Sequence, residues 1–376
     1  MYKKFISILS AWSAVALLML GLSPVAHGAT ATIYNNDVTG SNQGPVDLVQ
    51  GADGNIWYTL GSTGYVGVMG PNGGVINNIN LGGNPASITY AQTDGNYYVT
   101  VNTTGKIAKI SPAGAIVYQA AAGCVLPGDI IEDPVNHYIW YTCVDTSKVK
   151  AIDPATGNSV GTEITSGANP TGLTACNGRL WFTELNGNSI GVADTDGTNY
   201  TSHAVTGTLP WEITCGPDGN LWYTLKGTGN IQSMDKTSYA VLQTFSPPTL
   251  NSWPFGITTG PDGNLWFAER TGNNIARMTT AGVFTEFALK TAGSLPLAVI
   301  SGPGGNIYFT ENGNNAIGKL VVSSINSGGG TTPSAPNTSS LVNKTNAVPI
   351  AAGVLALLAT LAVAGFWIKS EFKNKK

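Results

Sequence analysis

The sequence has few charged residues and few histidines for its length. Only 10% of its 376 residues are charged, the formal net charge at pH 7 is −3, and there are 3 histidines. Of the 18 lysines and arginines, seven lie outside residues 29–322, and the others form no cluster. Nucleic-acid binding needs a basic patch or stripe, so no nucleic-acid partner is expected.

Glycine, by contrast, is abundant, with 48 residues, but no Gly-X-Y period accompanies it. The absence of that period excludes a collagen-like chain and favours a β protein with many turns.

One seven-residue stretch, Asp218–Thr224 (DGNLWYT), recurs along the chain at intervals of 41, 42, 41, 41, 44 and 42 residues. Such a period fits one four-stranded propeller blade per repeat. The Asp-Gly turn and the aromatic run after it predict a tight turn followed by a strand. The seven copies are Asp53–Thr59, Asp94–Thr100, Asn136–Thr142, Asn177–Thr183, Asp218–Thr224, Asp262–Ala268 and Gly304–Thr310.

The repeats predict an all-β, seven-bladed propeller. The large aromatic residue of each motif, such as Trp222, is expected to fill the gap between neighbouring blades. A proline precedes each inner strand, where it fixes the entering turn. The last repeat lacks an outer strand, so residues 31–36 (ATIYNN) are predicted to complete the seventh blade and close the ring, which removes two strand edges. The repeat prolines are Pro45, Pro85, Pro127, Pro170, Pro210, Pro254 and Pro296.

The two ends of the chain predict export and anchoring. Residues 1–28 have the form of a cleaved secretory signal, with an uncleaved anchor as the alternative. The propeller would then occupy 29–322 and a flexible Ser/Gly/Thr/Pro linker 323–346. Ala347–Ile368 is long and apolar enough for one transmembrane helix, and the lysine-rich tail 369–376 places the C-terminus in the cytoplasm. Removal of the tail is the alternative.

The four cysteines are even in number and lie in the region expected outside the cell, so two disulfides are predicted. Cys124 and Cys143 are our first choice of pair, because the hairpin between them returns both to one face. Cys176 and Cys215 lie at near-equivalent positions on adjacent inner strands and would pair across blades. Their spacing does not resemble a zinc site.

A candidate ligand-binding face lies where each inner strand begins and each second strand ends. Antiparallel pairing brings the residue after each repeat proline and the residue after each motif to one rim near the axis. That rim is the default site of a propeller; the alternative is that these residues only fill or solvate the channel. The candidate residues are Glu184, Glu269, Glu311, Trp211, Trp253 and Phe255.

The repeat Pro254–Glu269 (PFGITTGPDGNLWFAE), followed by residues 274–277 (NIAR) and 282–287 (GVFTEF), resembles the repeat of the streptogramin B lyase (virginiamycin B lyase) family. The resemblance covers residues 45–322. It implies a seven-bladed propeller that linearises a cyclic depsipeptide by elimination. It also implies Mg²⁺, a histidine after the repeat proline and a glutamate after the motif.

The sequence departs from that pattern at the histidine. Glutamates stand at the expected places, and Glu269 and Glu311 would be the Mg²⁺ ligands if the metal binds. Trp211, Phe255 and other residues replace the histidine. We expect His137 in a turn at the far end of a hairpin and His203 on an outer strand, away from the axis. Elimination needs a general base, so the sequence predicts the scaffold without the acid–base pair.

A lesser motif, residues 194–199 (DTDGTN), carries closely spaced oxygens that would suit Ca²⁺. No glutamate follows at the place expected of a calcium loop, so a β-turn between strands is the preferred interpretation.

Three functions follow as hypotheses. The first is a monomeric surface module with a single membrane pass, which recognises an extracellular peptide, glycan or small molecule. The second is a lyase or hydrolase that opens cyclic depsipeptides or lactones with Mg²⁺. The third is a structural protein of the cell envelope.

Overall fold

A computed structural model describes residues 44–322 and, by their backbone, residues 33–37. The predicted signal (1–28), linker (323–346), membrane helix (Ala347–Ile368) and tail (369–376) lie outside the described residues. Within the described part of the chain, no helix is long and apolar enough to cross a membrane.

The fold is a seven-bladed β-propeller, as the repeat spacing predicts. The described strands form seven antiparallel sheets of four strands each. Each of the first six blades takes four consecutive strands, with the first strand innermost and the fourth outermost. The strands are β1 Ile33–Asp37, β2 Pro45–Gln50, β3 Ile56–Leu60, β4 Tyr65–Met69, β5 Val75–Asn80, β6 Pro85–Tyr90, β7 Tyr97–Val101, β8 Lys106–Ile110, β9 Ile116–Ala121, β10 Pro127–Glu132, β11 Ile139–Cys143, β12 Lys148–Ile152, β13 Ser159–Thr165, β14 Pro170–Cys176, β15 Arg179–Glu184, β16 Ser189–Asp194, β17 Thr201–Ala204, β18 Pro210–Cys215, β19 Leu221–Leu225, β20 Asn230–Met234, β21 Val241–Phe245, β22 Pro254–Thr259, β23 Leu265–Glu269, β24 Asn274–Met278, β25 Phe284–Ala288, β26 Pro296–Gly302, β27 Asn306–Glu311 and β28 Ala316–Leu320; Pro303–Gly305 forms a 3₁₀ turn.

The seventh blade is closed by the N-terminal strand. Strand β1 pairs antiparallel with β28, from Ile33 opposite Leu320 to Asp37 opposite Ala316. The sequence predicted this strand at residues 31–36, and the structure has it at 33–37. Because both ends of the chain contribute to one sheet, the ring has no unpaired seam between its first and last blades.

The motif aromatics fill the spaces between blades. Trp57, Trp140, Trp181, Trp222 and Trp266 are all at most 1% exposed. Trp222 of blade 5, for example, packs in one cluster with Ile257 and Phe267 of blade 6. The predicted structural role of this position is therefore confirmed, and these rings take no part in a surface site.

The threonine that ends most motifs links neighbouring inner strands. Thr224 Oγ1 donates to the carbonyl of Phe255 in the next blade at 2.8 Å, and accepts the backbone N–H of Glu212 in its own blade at 3.2 Å. Equivalent links to the next blade are made by Thr59, Thr100, Thr142, Thr183 and Thr310. In blade 6 the position is Ala268, which has no hydroxyl to offer.

Both expected disulfides are present. Cys124 bonds to Cys143 within blade 3, and Cys176 bonds to Cys215 across the inner strands of blades 4 and 5. Every cysteine of the chain is thereby paired.

Candidate binding site at the proline end of the channel

The inner strands surround an axial channel that opens where they begin at the repeat prolines. We call this opening the proline end, and the opposite opening, beside the Asp-Gly turns, the turn end. The channel holds a cavity of about 600 Å³. Both the first and the second residue after a repeat proline line it, as Trp211 and Glu212 do in blade 5.

Three predicted aromatic residues meet at the proline end. The rings of Trp211 and Phe255 lie 4.9 Å apart between centroids, tilted by 51°. Lys226 Nζ lies 4.6 Å from the Trp211 ring centroid, 5.5 Å from that of Phe255 and 5.8 Å from that of Trp253. We call these four residues, with Arg270, the aromatic–cation cluster. Such contacts hold a cation through the ring quadrupole without neutralising its charge.

Trp253 is presented to solvent by a fixed backbone. Its side chain is 42% exposed, and its φ of 49° lies in the left-handed region, which is rare for a bulky residue. The residue before the repeat proline adopts the same conformation in four other blades, at Gly44, Asn169, Leu209 and Leu295. The Trp253 carbonyl accepts the N–H of Arg270 at 3.0 Å. The ring is therefore held at the rim by the blade itself.

The three predicted glutamates do not form an exposed acidic rim. Glu184, Glu269 and Glu311 are each 0% exposed, and each lies opposite a repeat proline in the ladder. The segment that leads into the proline folds over this position, so the side chain points beneath the rim rather than into the channel. The backbone N–H of Gly167, for instance, donates to Glu184 Oε1 at 2.7 Å.

Two of these glutamates have different surroundings. Glu184 also accepts bonds from Tyr200 Oη at 2.5 Å and from the hydroxyls of Ser189 and Ser202. Glu269 accepts one bond, from Asn274 Nδ2 at 3.0 Å, while its Oε1 is buried with no hydrogen-bond partner. The pKa of Glu269 is raised to about 7, chiefly by burial, with the neighbouring charge of Glu286 contributing to the rise and the bond from Asn274 opposing it. Glu184 therefore acts as a hydrogen-bonding centre of its blade.

Three other carboxyl groups line the channel itself, and sequence reasoning missed them. Asp47, Asp129 and Glu212 each follow a repeat proline by two residues and border the cavity. The signal was the repeated pattern Pro-x-Asp or Pro-x-Glu on three of seven inner strands. Glu212 of blade 5 lies close to Gly172 of blade 4, because Gly172 has no side chain. A Cβ at Gly172 would lie 2.7 Å from Glu212 Oε1.

These carboxyl groups hold their protons more tightly than free ones. Burial is the main cause for all three. It raises the pKa of Asp129 to about 7, with the neighbouring charge of Asp47 adding to the rise. The pKa of Glu212 is raised well above its usual value by burial and then by Asp129. The channel therefore offers hydrogen-bonding carboxyl groups of variable charge.

The residues expected for Mg²⁺ do not fit that ion. Glu269 and Glu311 are buried, and burial favours the protonated form of Glu269, whereas a hard cation needs ionised oxygen ligands that keep room for water. Among residues 44–322, no group of three or more His, Cys, Asp or Glu side chains is arranged to hold a metal.

The described histidines lie away from the proline end, as the sequence predicted. His203 is on β17, an outer strand, stacked on Tyr239 at 3.9 Å. His137 is in the turn between β10 and β11, where Nδ1 lies 2.7 Å from Thr93 Oγ1 and 3.5 Å from Glu132 Oε1. His137, Thr93 and Glu132 border a second cavity, of about 510 Å³, at the turn end. No feature of the sequence analysis predicted that cavity.

Residues 80–325 match the model of the Virginiamycin B lyase family. The chain belongs to this family. No match was found among the curated proteins compared.

Several solved structures share the fold of this family member. A catalytically inactive virginiamycin B lyase from Staphylococcus aureus, in which a histidine is replaced by alanine and quinupristin is bound, is 26% identical, with a TM-score of 0.71 over 77% of this chain and 99% of the other. A streptogramin B lyase structure is 24% identical, with a TM-score of 0.70 over 77% and 97%. Hydrazine synthase from Kuenenia stuttgartiensis is 13% identical, with a TM-score of 0.66 over 76% and 98%; that likeness concerns the fold alone.

Although the chain belongs to this family, no histidine stands directly after any repeat proline. The residues after the repeat prolines that line the cavity are Val46, Ala86, Gly128, Thr171, Trp211, Phe255 and Leu297. None of them carries an imidazole, and the bulkiest belong to the aromatic–cation cluster. The seven positions directly after the repeat prolines therefore hold no histidine in this member of the virginiamycin B lyase family.

Proposed function

We propose that the chain is a ligand-binding propeller of the virginiamycin B lyase family, anchored in a membrane by Ala347–Ile368 and displayed outside the cell. Its site is the proline end of the channel. The observation that carries the proposal is the convergence of Trp211, Trp253 and Phe255 on one opening. Trp253 is exposed, Trp211 is half-buried and Phe255 is buried, and aromatic rings in a concave site are strong anchors for a ligand.

Binding without catalysis is supported by what surrounds those rings. No histidine lines the described cavity, and the glutamates after the motifs are buried beneath the rim. A general base must lie within hydrogen-bonding reach of the proton that it removes. The channel carboxyl groups of Asp129 and Glu212 border the cavity with raised pKa values, that of Asp129 about 7, so they can donate or accept hydrogen bonds to a ligand.

The experiment uses the full chain in detergent and a panel of immobilised polysaccharides and peptides. The double variant Trp211→Ala with Trp253→Ala should lose retention on whichever panel member retains the unchanged protein. The control is His137→Ala, which alters the turn end and should be retained normally. Equal retention of the double variant would contradict a site at the proline end.

The anchoring part has its own test. In cells that express the full chain, an added protease that does not cross the membrane should remove the propeller and leave a short fragment containing residues 369–376. Complete protection of the chain in intact cells would contradict external display.

Ring opening of a cyclic depsipeptide is the second candidate, and family membership is what favours it. The bound quinupristin of the Staphylococcus aureus relative supplies a suitable probe. Trp211 and Phe255 count against this activity, because they stand where the family resemblance implies a histidine.

A further inference from the structure

The two cations of the aromatic–cation cluster have no acidic partner. Lys226 contacts three rings, and the Arg270 guanidinium carbon lies 5.2 Å from the Phe255 ring centroid. Within the described residues, neither side chain forms a salt bridge. Lys109 and Arg277, by contrast, pair with Asp94 and Asp262 at 2.9 and 2.6 Å. The opening therefore presents positive charge that a ligand is left to neutralise.

The rest of the opening has a different character. The exposed ring of Trp253 and the partly exposed ring of Trp211 offer flat apolar faces. Glu212 and Asp129 line the cavity, and their carboxyl oxygens can accept hydrogen bonds from the hydroxyl groups of a ligand. A matching ligand carries an anionic group, a flat face of C–H groups and several hydroxyls within one small unit.

The main chain at this opening is already occupied. The carbonyls of Trp211 and Phe255 accept bonds from Thr183 and Thr224, each at 2.8 Å. A peptide bound as an added strand relies on free main-chain donors and acceptors. Recognition here must instead use side chains, which favours a sugar over an extended peptide.

We propose that the proline end binds a carboxylate-bearing sugar, such as a uronic acid unit of an acidic polysaccharide. The carboxylate lies against Lys226 and Arg270, the sugar ring packs on Trp253 and Trp211, and hydroxyls meet Glu212. This inference rests on the proposed binding function and names the chemistry of its ligand.

The test compares an oligogalacturonate with its full methyl ester, which has the same sugar chain but carries uncharged methyl esters in place of the carboxylates. With the full chain in detergent at low salt, the acid should bind about tenfold or more tightly than the ester, measured by calorimetry. Added salt should weaken the binding of the oligogalacturonate and leave that of the ester unchanged, because salt screens the charges. Equal affinity for the two probes would overturn the inference.

Two sets of variants locate the effect. Lys226→Gln with Arg270→Gln keeps much of each apolar stem and should abolish the preference for the acid. The matched control is Lys319→Gln, which removes another lysine held over an aromatic ring, 5.5 Å from the Tyr308 centroid, away from the channel. Retained preference in the Lys226 and Arg270 variant would overturn the inference.

Failure of the ligand class is distinguishable from failure of the site. If neither oligosaccharide binds, while an acidic peptide binds and its binding requires Trp211 and Trp253, the sugar is wrong and the proposed function stands. If replacing Trp211 and Trp253 with alanine changes the affinity for none of the probes that bind, the proposed function fails as well.

Discussion

Asp47 of blade 1 and Asp129 of blade 3 are joined through the hydroxyl of Ser87 in the blade between them. Ser87 Oγ lies 2.6 Å from Asp47 Oδ2 and 2.8 Å from Asp129 Oδ1. A hydroxyl has one proton to donate, so it satisfies one carboxylate, and the other carboxyl must bring a proton of its own. Burial raises the pKa of both carboxyl groups, that of Asp129 to about 7, so the pair binds this proton more tightly than a free carboxyl group would.

The shared proton predicts a pH-dependent stability. The folded-state pKa of Asp129 is about 7, above its ordinary value of 3.8. The stabilisation from the protonated group is therefore fully present below about pH 4 and is lost as the pH rises through about 7. Asp129→Asn, an uncharged mimic, should flatten this part of the profile, by roughly 1.4 kcal/mol for each unit of pKa difference removed. Urea unfolding at several pH values measures it; an unchanged slope would contradict the shared proton.

The threonine links predict opposite effects at two equivalent positions. Thr224→Ala should lower the free energy of unfolding by about 1–3 kcal/mol, because it leaves a buried carbonyl and N–H without their partner. Ala268→Thr should raise it by about 1 kcal/mol, since a hydroxyl there would meet the carbonyl of Leu297 as the other threonines meet theirs. Both variants are compared by urea unfolding. A destabilised Ala268→Thr would show that blades 6 and 7 pack too tightly for the added atoms.

The glutamates after the motifs predict a contrast between blades. Glu184→Gln should cost about 1.5–3 kcal/mol of stability, because an amide cannot accept all the bonds that its two carboxylate oxygens accept. Glu269→Gln should change stability much less at neutral pH, since that carboxyl accepts a single described bond, from Asn274, and its pKa of about 7 leaves it only partly ionised. Urea unfolding of the two variants at pH 7 tests the contrast, and equal losses would contradict it.

The disulfide between Cys176 and Cys215 predicts a stabilisation that depends on oxidation. The bond joins residues 39 apart in sequence and fastens two inner strands together. Replacing both cysteines with alanine should lower the free energy of unfolding by about 2–4 kcal/mol. Addition of a reductant should destabilise the unchanged protein, and should have a smaller effect on the variant, which keeps only the bond between Cys124 and Cys143.

Most of the fold was predictable because a short local motif specifies each hairpin and recurs in every blade. The Asp-Gly turn and aromatic run of Asp218–Thr224 specify a hairpin on their own, and seven evenly spaced copies leave few arrangements other than a propeller. The closing strand followed from the outer strand that the last repeat lacks, and the Cys124–Cys143 pair followed from the hairpin that returns both residues to one face.

The site was less predictable because it depends on a strand irregularity that all seven blades share and that simple alternation does not encode. Strand β18 changes register with β19 between Pro210 and Ile213, so Trp211 and Glu212 both face the channel instead of alternating. Simple alternation therefore found Trp211 and missed Glu212. The burial of Glu184, Glu269 and Glu311 depends on how the segments before the prolines fold over them, which composition and spacing do not encode.

Incubation of the full chain with quinupristin and Mg²⁺ tests the central claim most directly. Ring opening by elimination yields an isomer of the same mass, so the product is followed by chromatographic retention, with the Staphylococcus aureus lyase as the positive control. The account predicts no ring-opened isomer beyond the amount formed without protein. Isomer formation that rises with the concentration of this chain and is lost in Glu269→Gln would contradict it.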